Sequence, residues 1–312
     1  MLSNYFKNSK PIQNVFLFIL FFTLFLSYSI AKIYINSSWI IIFFTIINFI
    51  LLTGTVIIIK IMMNELNLSR SSNYFAILFI AFLCFFPGAM LNINLVIATF
   101  LSTFSMYRFL KIDFSKGSKL SIFDACLFLF TAVIFHFWVI VYSILIVFAT
   151  FRNYKKNNNI FLVPLVAFLT VCVLFLFFSL LINPDWTKNV VKLSNISFNY
   201  NYFETIYTRL SISFYFSIAI IMLIIMVLQL VKKPLLVQTA LKKVIFWFVL
   251  AILIYVFAPV KSNDILLFSC IPLIIITSNL IEYSKDKILK NIILITILFF
   301  GLLFFTLQTF FS

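Results

Sequence analysis

The chain has 312 residues, of which 64% are hydrophobic and 10% are charged, and its mean hydropathy is +1.18. A water-soluble fold of this composition would expose more apolar surface than a soluble monomer tolerates, so that class is excluded. The net charge is +15, but Lys and Arg occur in short clusters between apolar runs, which argues against a nucleic-acid-binding protein. The composition therefore predicts an all-α integral membrane protein.

Apolar runs long enough to cross a bilayer, which takes about 20 residues, recur along the chain. We place these runs at 15–33, 39–59, 74–92, 93–110, 160–182, 209–231, 244–260, 265–281 and 291–311. The first run resembles a signal sequence, but no small-residue cleavage site follows it, so we interpret it as an uncleaved helix. No internal repeat or soluble segment divides the sequence, which predicts a single polytopic membrane domain over 1–312.

The apolar stretch at 122–151 is long for one helix and short for two. If it forms a hairpin, 18 Lys and Arg residues lie inside and 5 outside, whereas a single crossing gives 12 and 11. Cytoplasmic loops are enriched in Lys and Arg, so the hairpin is favoured, with its turn near His136. Its arms are either short tilted helices or a re-entrant loop. We therefore predict about 11 transmembrane segments, with the N-terminus inside and the C-terminus outside.

Carboxylates are costly in a bilayer, about 2.5–3.5 kcal/mol at the midplane, so the few present are informative. Three are predicted on the outer side: Asp185, Glu204 and Asp264. Asp264 ends the segment 258–264, the densest polar cluster between two apolar runs. There, Ser262 or Asn263 could cap the next helix, with Asp264 in its first turn. Alternatively, Lys261 and Asp264 could form an anion-binding and acid–base pair.

His136 is the single histidine of the sequence, which excludes a metal site built on several imidazoles. The four cysteines lie in different apolar runs without CxxC spacing, and no phosphate-binding or protease motif is present, so we predict no metal or cofactor. The candidate catalytic residues are Asp185, Glu204, Asp264 and His136. The candidate substrate-binding residues are Lys261, Arg209, Trp186 and Trp138.

Several short motifs are spread over the whole chain: MLSNYF with Lys7, Ser9, Lys10, Pro11 and Ile12 at the start, FP at 86–87, MYR at 106–108, IFDA at 122–125 with FW at 137–138, and Pro259 with KS at 261–262, Asp264 and LLF at 266–268. Together they resemble an uncharacterised family of polytopic inner-membrane proteins that is widespread in flavobacteria and their relatives. The resemblance implies a multi-pass protein of the bacterial inner membrane, and it brings no assigned activity with it.

The architecture is also similar to membrane glycosyltransferases that use polyprenyl-phosphate sugars. The shared features are many short-looped helices, a re-entrant-looking hairpin and a longer outer loop. Those transferases place an acidic residue in the first outer loop, and 33–38 of this sequence contains none.

Three functions compete. The first is an enzyme that acts on a lipid-linked glycan or related anionic lipid at the outer face, with a carboxylate or His136 as base and Lys261 or Arg209 on phosphate. The alternative is a non-catalytic component of a cell-envelope complex with partner subunits. A transporter fits least, since broken, Gly-rich helices and midplane polar sites are nearly absent from the sequence.

A reporter fusion tests the predicted topology. A periplasm-active enzyme fused after Lys156 is expected to be inactive, because the hairpin returns the chain to the cytoplasm there. A strong reporter signal at that position would rule the hairpin out.

Overall fold

The computed structural model describes residues 5–6, 10–33, 39–69, 72–112, 119–152, 160–198, 206–259, 261–284 and 286–311. Within these ranges the ordered elements are all helices and none is a strand, so the prediction of an all-helical chain is confirmed. The α-helices are α1 Pro11–Ile33, α2 Trp39–Glu65, α3 Tyr74–Leu83, α4 Ile93–Leu110, α5 Lys119–Phe135, α6 Ser143–Arg152, α7 Leu162–Ile182, α8 Asp185–Leu193, α9 Ile206–Leu230, α10 Leu235–Phe257, α11 Leu267–Tyr283 and α12 Lys287–Phe310. Three 3₁₀ helices lie between them, at Pro87–Met90, Phe137–Tyr142 and Asn263–Leu266.

Several of these helices are both long and apolar, which indicates a multi-pass membrane protein. In the part of the chain that the structure describes, 8 helices are long and apolar enough to cross a membrane. They comprise α1, α2, α4, α7, α9, α10, α11 with its preceding 3₁₀ turn, and α12. The shorter apolar helices α3, α5 and α6 add to these, and the total of about 11 crossings and the sidedness of the termini stay predictions.

Two predicted segments differ from the structure. The run at 74–92 is not one helix, because α3 ends at Leu83 and a 3₁₀ helix starts at Pro87. Proline lacks the backbone donor that would continue the helix and restricts the residue before it. The longer outer loop, which the sequence predicts at 183–208, contains a short helix, α8, which begins directly after Pro184.

Helix α11 is the centre of the bundle. Its span is 94% buried, against 17% for α2 and α7, and it contacts α3, α9 and α10. Its buried hydroxyls donate to backbone carbonyls about one turn earlier: Ser269 to Leu266 at 2.7 Å and Thr277 to Leu273 at 2.9 Å. These bonds satisfy polar groups in a place where water cannot, so the central helix is packed without exposed donors.

Polar contacts mark one end of the bundle, which we call the Lys233 end. The Lys233 ammonium donates to Asn279, and the Asn279 amide donates to the Leu68 carbonyl at 2.6 Å. At the same end Glu65 and Lys111 form an ion pair of 3.0 Å. The opposite end, which we call the Asp264 end, contains the 3₁₀ helices Pro87–Met90 and Asn263–Leu266, which contact each other.

The chain breaks at His136, between α5 and the 3₁₀ helix that leads into α6. His136 has an extended backbone, and α6 packs back against α5. His136 lines a cavity with Asn92 and Pro259, so the break lies at the Asp264 end. The two arms are helical, and whether they cross the membrane stays a prediction.

Two glycines allow close helix contacts of different kinds. A Cβ at Gly301 in α12 would lie 2.5 Å from the backbone oxygen of Ala81, whereas one at Gly54 in α2 would lie 2.8 Å from the ring of Phe100.

We expect Gly301→Ala to lower the free energy of unfolding by about 1–3 kcal/mol, because a backbone oxygen cannot move aside. Gly54→Ala is the matched control and should cost less, since the Phe100 ring can rotate. Thermal unfolding in detergent measures both, and equal losses would contradict the close contact of α12 with α3.

Candidate functional site

A polar cavity lies at the Asp264 end, and we call it the Asp264 cavity. Its volume is about 250 Å³, and its walls come from the end of α1, the 3₁₀ helix after α3, the start of α9 and the end of α12. The lining residues are Tyr28, Lys32, Gly88, Thr208, Ser262, Asn263, Asp264 and Gln308. A carboxylate and an ammonium therefore face one space that is otherwise lined by hydroxyl and amide groups.

Asp264 is held against the opposite 3₁₀ helix. A Cβ at Gly88 would lie 2.5 Å from Asp264 Oδ1, so glycine at position 88 makes room for the carboxylate. The backbone N–H of Ala89 lies beside the same carboxylate. Asp264 is partly buried in this arrangement. One side of its carboxylate contacts the backbone of the opposite 3₁₀ helix, and another faces the cavity.

The cavity walls are fixed by side chains that bond to backbone carbonyls. The Asn263 amide donates to the Thr208 carbonyl at 3.1 Å, and the Gln308 amide donates to the Phe85 carbonyl at 3.1 Å. Ser262 makes no side-chain capping bond. The capping interpretation of this segment is therefore wrong for Ser262 and Asn263, because the Asn263 amide nitrogen bonds to α9 and its Oδ1 accepts no hydrogen bond among the described residues.

The Lys261 side chain bonds to the end of α10. Its ammonium donates to the carbonyl of Tyr255 at 2.9 Å and to that of Val256, where a helix leaves carbonyls without partners. Desolvation by burial lowers the pKa of Lys261. The two ion pairs within the described ranges, Glu65–Lys111 and Asp185–Lys188, do not include Lys261, so the structure does not pair Lys261 with Asp264. The cation that lines the Asp264 cavity is Lys32.

A second cavity, the His136 cavity, adjoins the first. It measures about 230 Å³ and shares Ser262 with the Asp264 cavity. His136 contacts Phe268 edge to face at 5.1 Å, and Trp138 stacks on Phe257 at 5.4 Å. Among the residues described, His136 Nδ1 and Trp138 Nε1 are buried without a hydrogen-bond partner. Such groups cost about 1–3 kcal/mol each, which a ligand with matching polar atoms would recover.

A larger apolar groove continues from the His136 cavity. This lateral groove of about 700 Å³ lies between α5, α7 and α8, and it shares Asn94, Phe135 and Leu193 with the His136 cavity. Its walls are mostly hydrocarbon, and Trp186 of α8 is among its lining residues. Shared lining residues thus connect an apolar groove, the His136 cavity and the Asp264 cavity in that order.

The remaining predicted residues do not join these cavities. Asp185 is exposed and forms an ion pair of 2.8 Å with Lys188 in the first turn of α8. Arg209 is exposed near the start of α9 and lines none of the three cavities. Glu204 lies outside the described residues. The structure therefore brings together His136, Trp138 and Asp264, with Trp186 on the adjoining groove.

Sequence reasoning missed Tyr28, Lys32 and Gln308. These residues belong to α1 and α12, at opposite ends of the chain, which no local pattern connects. Lys32 carried a weak signal as one of the few predicted outer cations, and Gln308 as a lone amide in an apolar helix. Within the described ranges no group of three or more His, Cys, Asp or Glu residues could hold a metal ion.

Comparison with protein families, with curated proteins and with solved structures finds no match for this chain.

A double-mutant cycle tests the contact between Gly88 and Asp264. Gly88→Ala is expected to lower the free energy of unfolding by about 1–3 kcal/mol, because the new Cβ meets the carboxylate. In an Asp264→Ala background the same change should cost much less, giving a coupling of about 1 kcal/mol or more. Chemical or thermal unfolding of the four proteins measures it, and simple additivity would show that the two residues do not touch.

Proposed function

We propose that this chain is a bacterial inner-membrane protein that binds a lipid-linked glycan, or a related anionic lipid, at its outer face and acts on it as membrane glycosyltransferases do. The observation that carries the proposal is the connected series formed by the lateral groove, the His136 cavity and the Asp264 cavity. An amphipathic molecule with a long hydrocarbon tail and a polar head has the same succession of surfaces.

The tail of such a substrate matches the lateral groove. Three side chains of α7 that line the groove are 50–64% exposed: Leu174, Phe178 and Ile182. Trp186 also lines the groove, and indole rings favour the membrane interface. The groove therefore supports binding of a hydrocarbon chain that enters sideways from the lipid.

The head group of the substrate matches the two polar cavities. Lys32 can neutralise a phosphate, and Asn92, Ser262 and Thr208 offer polar groups to sugar hydroxyls. Asp264 can accept a proton from an acceptor hydroxyl as that hydroxyl attacks the anomeric carbon. The bond from this carbon to the phosphate oxygen breaks, and the phosphate departs with the electron pair and is neutralised by Lys32.

The outer-face assignment depends on the distribution of charge. Lys111, Lys233 and Lys243 make their contacts at the Lys233 end, in loops or helix ends predicted to be cytoplasmic. The Asp264 end carries few cations among the described residues, and this supports placing the cavities on the outer side.

Two variants test the proposal directly. Asp264→Asn keeps the shape of the side chain and removes the base, so the surface glycan or its lipid-linked precursor should change in cells.

His136→Phe keeps the ring contact with Phe268 and should leave stability unchanged or higher by about 1 kcal/mol, because an unpartnered nitrogen is lost. The same variant should weaken binding of a polyprenyl phosphate, which quenching of Trp138 and Trp186 fluorescence can follow in the purified protein.

Asp124→Asn is the matched control, since Asp124 lies in the first half of α5 and lines none of the cavities. Wild-type binding and an unchanged glycan profile in both Asp264→Asn and His136→Phe would refute the proposal. Stoichiometric membrane partners recovered with all variants would then favour the non-catalytic envelope component.

A further inference from the structure

A separate apolar groove lies towards the Lys233 end, between α1, α2 and α3. Its volume is about 340 Å³, and Leu17, Phe21, Thr53 and Phe75 are among its wall residues. Phe18 and Ile57 on its rim are 53% and 57% exposed, so the groove faces the surroundings of the helix bundle. It shares no lining residue with the three cavities at the Asp264 end.

One cation, Lys60 of α2, lines this groove. In the part of the chain that the structure describes, its ammonium takes part in no ion pair or hydrogen bond. At the same end Lys111 pairs with Glu65, and Lys233 donates to Asn279, whereas Lys60 makes no such contact among the described residues. Lys60 is therefore a partly buried lysine that lines the groove without a bonded anion in the described ranges.

The depth of Lys60 fits the head-group region of a bilayer. It precedes Glu65, the last residue of α2, by about 7 Å at a rise of about 1.5 Å per residue. A lysine side chain at that depth extends its ammonium towards the interface while its methylene groups stay in hydrocarbon. The groove then leads from the ammonium into the apolar part of the bundle.

A second polar group supports the same orientation. Asn14 of α1 also lines the groove, and its Oδ1 accepts a hydrogen bond of 2.8 Å from Asn73. This bond orients the Asn14 amide and leaves its Nδ2 as a donor. Lys60 and Asn14 thus supply a charge and a donor at one groove, and no carboxylate lines it.

We propose that this groove binds an anionic phospholipid of the leaflet at the Lys233 end. The acyl chain lies along Phe21, Thr53 and Ile57, and the phosphate pairs with Lys60. A lipid bound there joins α1 to α2 and α3 and stabilises the bundle through mass action, because it binds the folded form. The site is independent of the substrate proposed for the opposite end.

Lipid titration of the purified full chain, followed by native mass spectrometry, tests this site with phosphatidylglycerol and phosphatidylcholine as probes. Phosphatidylglycerol should bind more tightly than phosphatidylcholine. Lys60→Gln should lower the affinity for phosphatidylglycerol by about fivefold and leave the affinity for phosphatidylcholine unchanged. Lys119→Gln is the matched control, because Lys119 is exposed and lines none of the grooves. Ile57→Trp fills the groove with Lys60 intact and should weaken both lipids.

Equal affinity of wild type and Lys60→Gln for phosphatidylglycerol overturns the proposal. So does an equal loss in Lys119→Gln, which would mean that net charge alone attracts the lipid. If glycerol 3-phosphate competes as strongly as the whole lipid, the apolar groove takes no part and the proposal is wrong. Thermal unfolding of each variant without added lipid excludes misfolding as the cause of a loss.

Discussion

The structure depends on satisfying the backbone where helices break in an apolar bundle. A carbonyl or N–H that is unpaired in hydrocarbon costs several kcal/mol, so each break needs a nearby partner. At the Asp264 end the partners are side chains: Lys261 for the end of α10, Gln308 for Phe85 and Asn263 for Thr208. These bonds hold the loops in place, and the cavities lie between the loops that they fix.

The same constraint separates structural polar groups from those that remain for a ligand. Lys261 and the amide of Gln308 are occupied by backbone, so neither side chain needs a ligand to explain its burial. His136 and Trp138 differ, because each keeps a buried nitrogen without a partner among the described residues. Asp264 lies between the two cases, since Ala89 meets one part of its carboxylate and the cavity meets another. Chemistry is therefore expected at His136 and Asp264 rather than at Lys261.

Local hydropathy predicted the helices well because the cost of burying polar residues acts on each segment separately. The run expected at 265–281 is α11 at Leu267–Tyr283, and the break near His136 is present. Hydropathy could not show that Gly88 would receive Asp264, because this contact joins segments far apart in the chain. It also could not show that Lys261 would bond to carbonyls at the end of α10, because hydropathy carries no information about hydrogen-bond partners. The sequence thus indicated Asp264, His136 and Trp138 as candidate site residues. It did not indicate the residues of α1 and α12 that complete the Asp264 cavity.

The two proposed lipid sites differ in the charges that they present, and this difference decides what each can bind. The Asp264 cavity combines a carboxylate with Lys32, which suits a head group that carries both phosphate and hydroxyls, since the hydroxyls can donate to Asp264. A plain anionic head would meet repulsion from Asp264 there. The groove at Lys60 has no carboxylate among its lining residues, so a phosphate alone is enough to match it. We therefore propose a glycan-bearing lipid for one end of the bundle and an ordinary anionic phospholipid for the other.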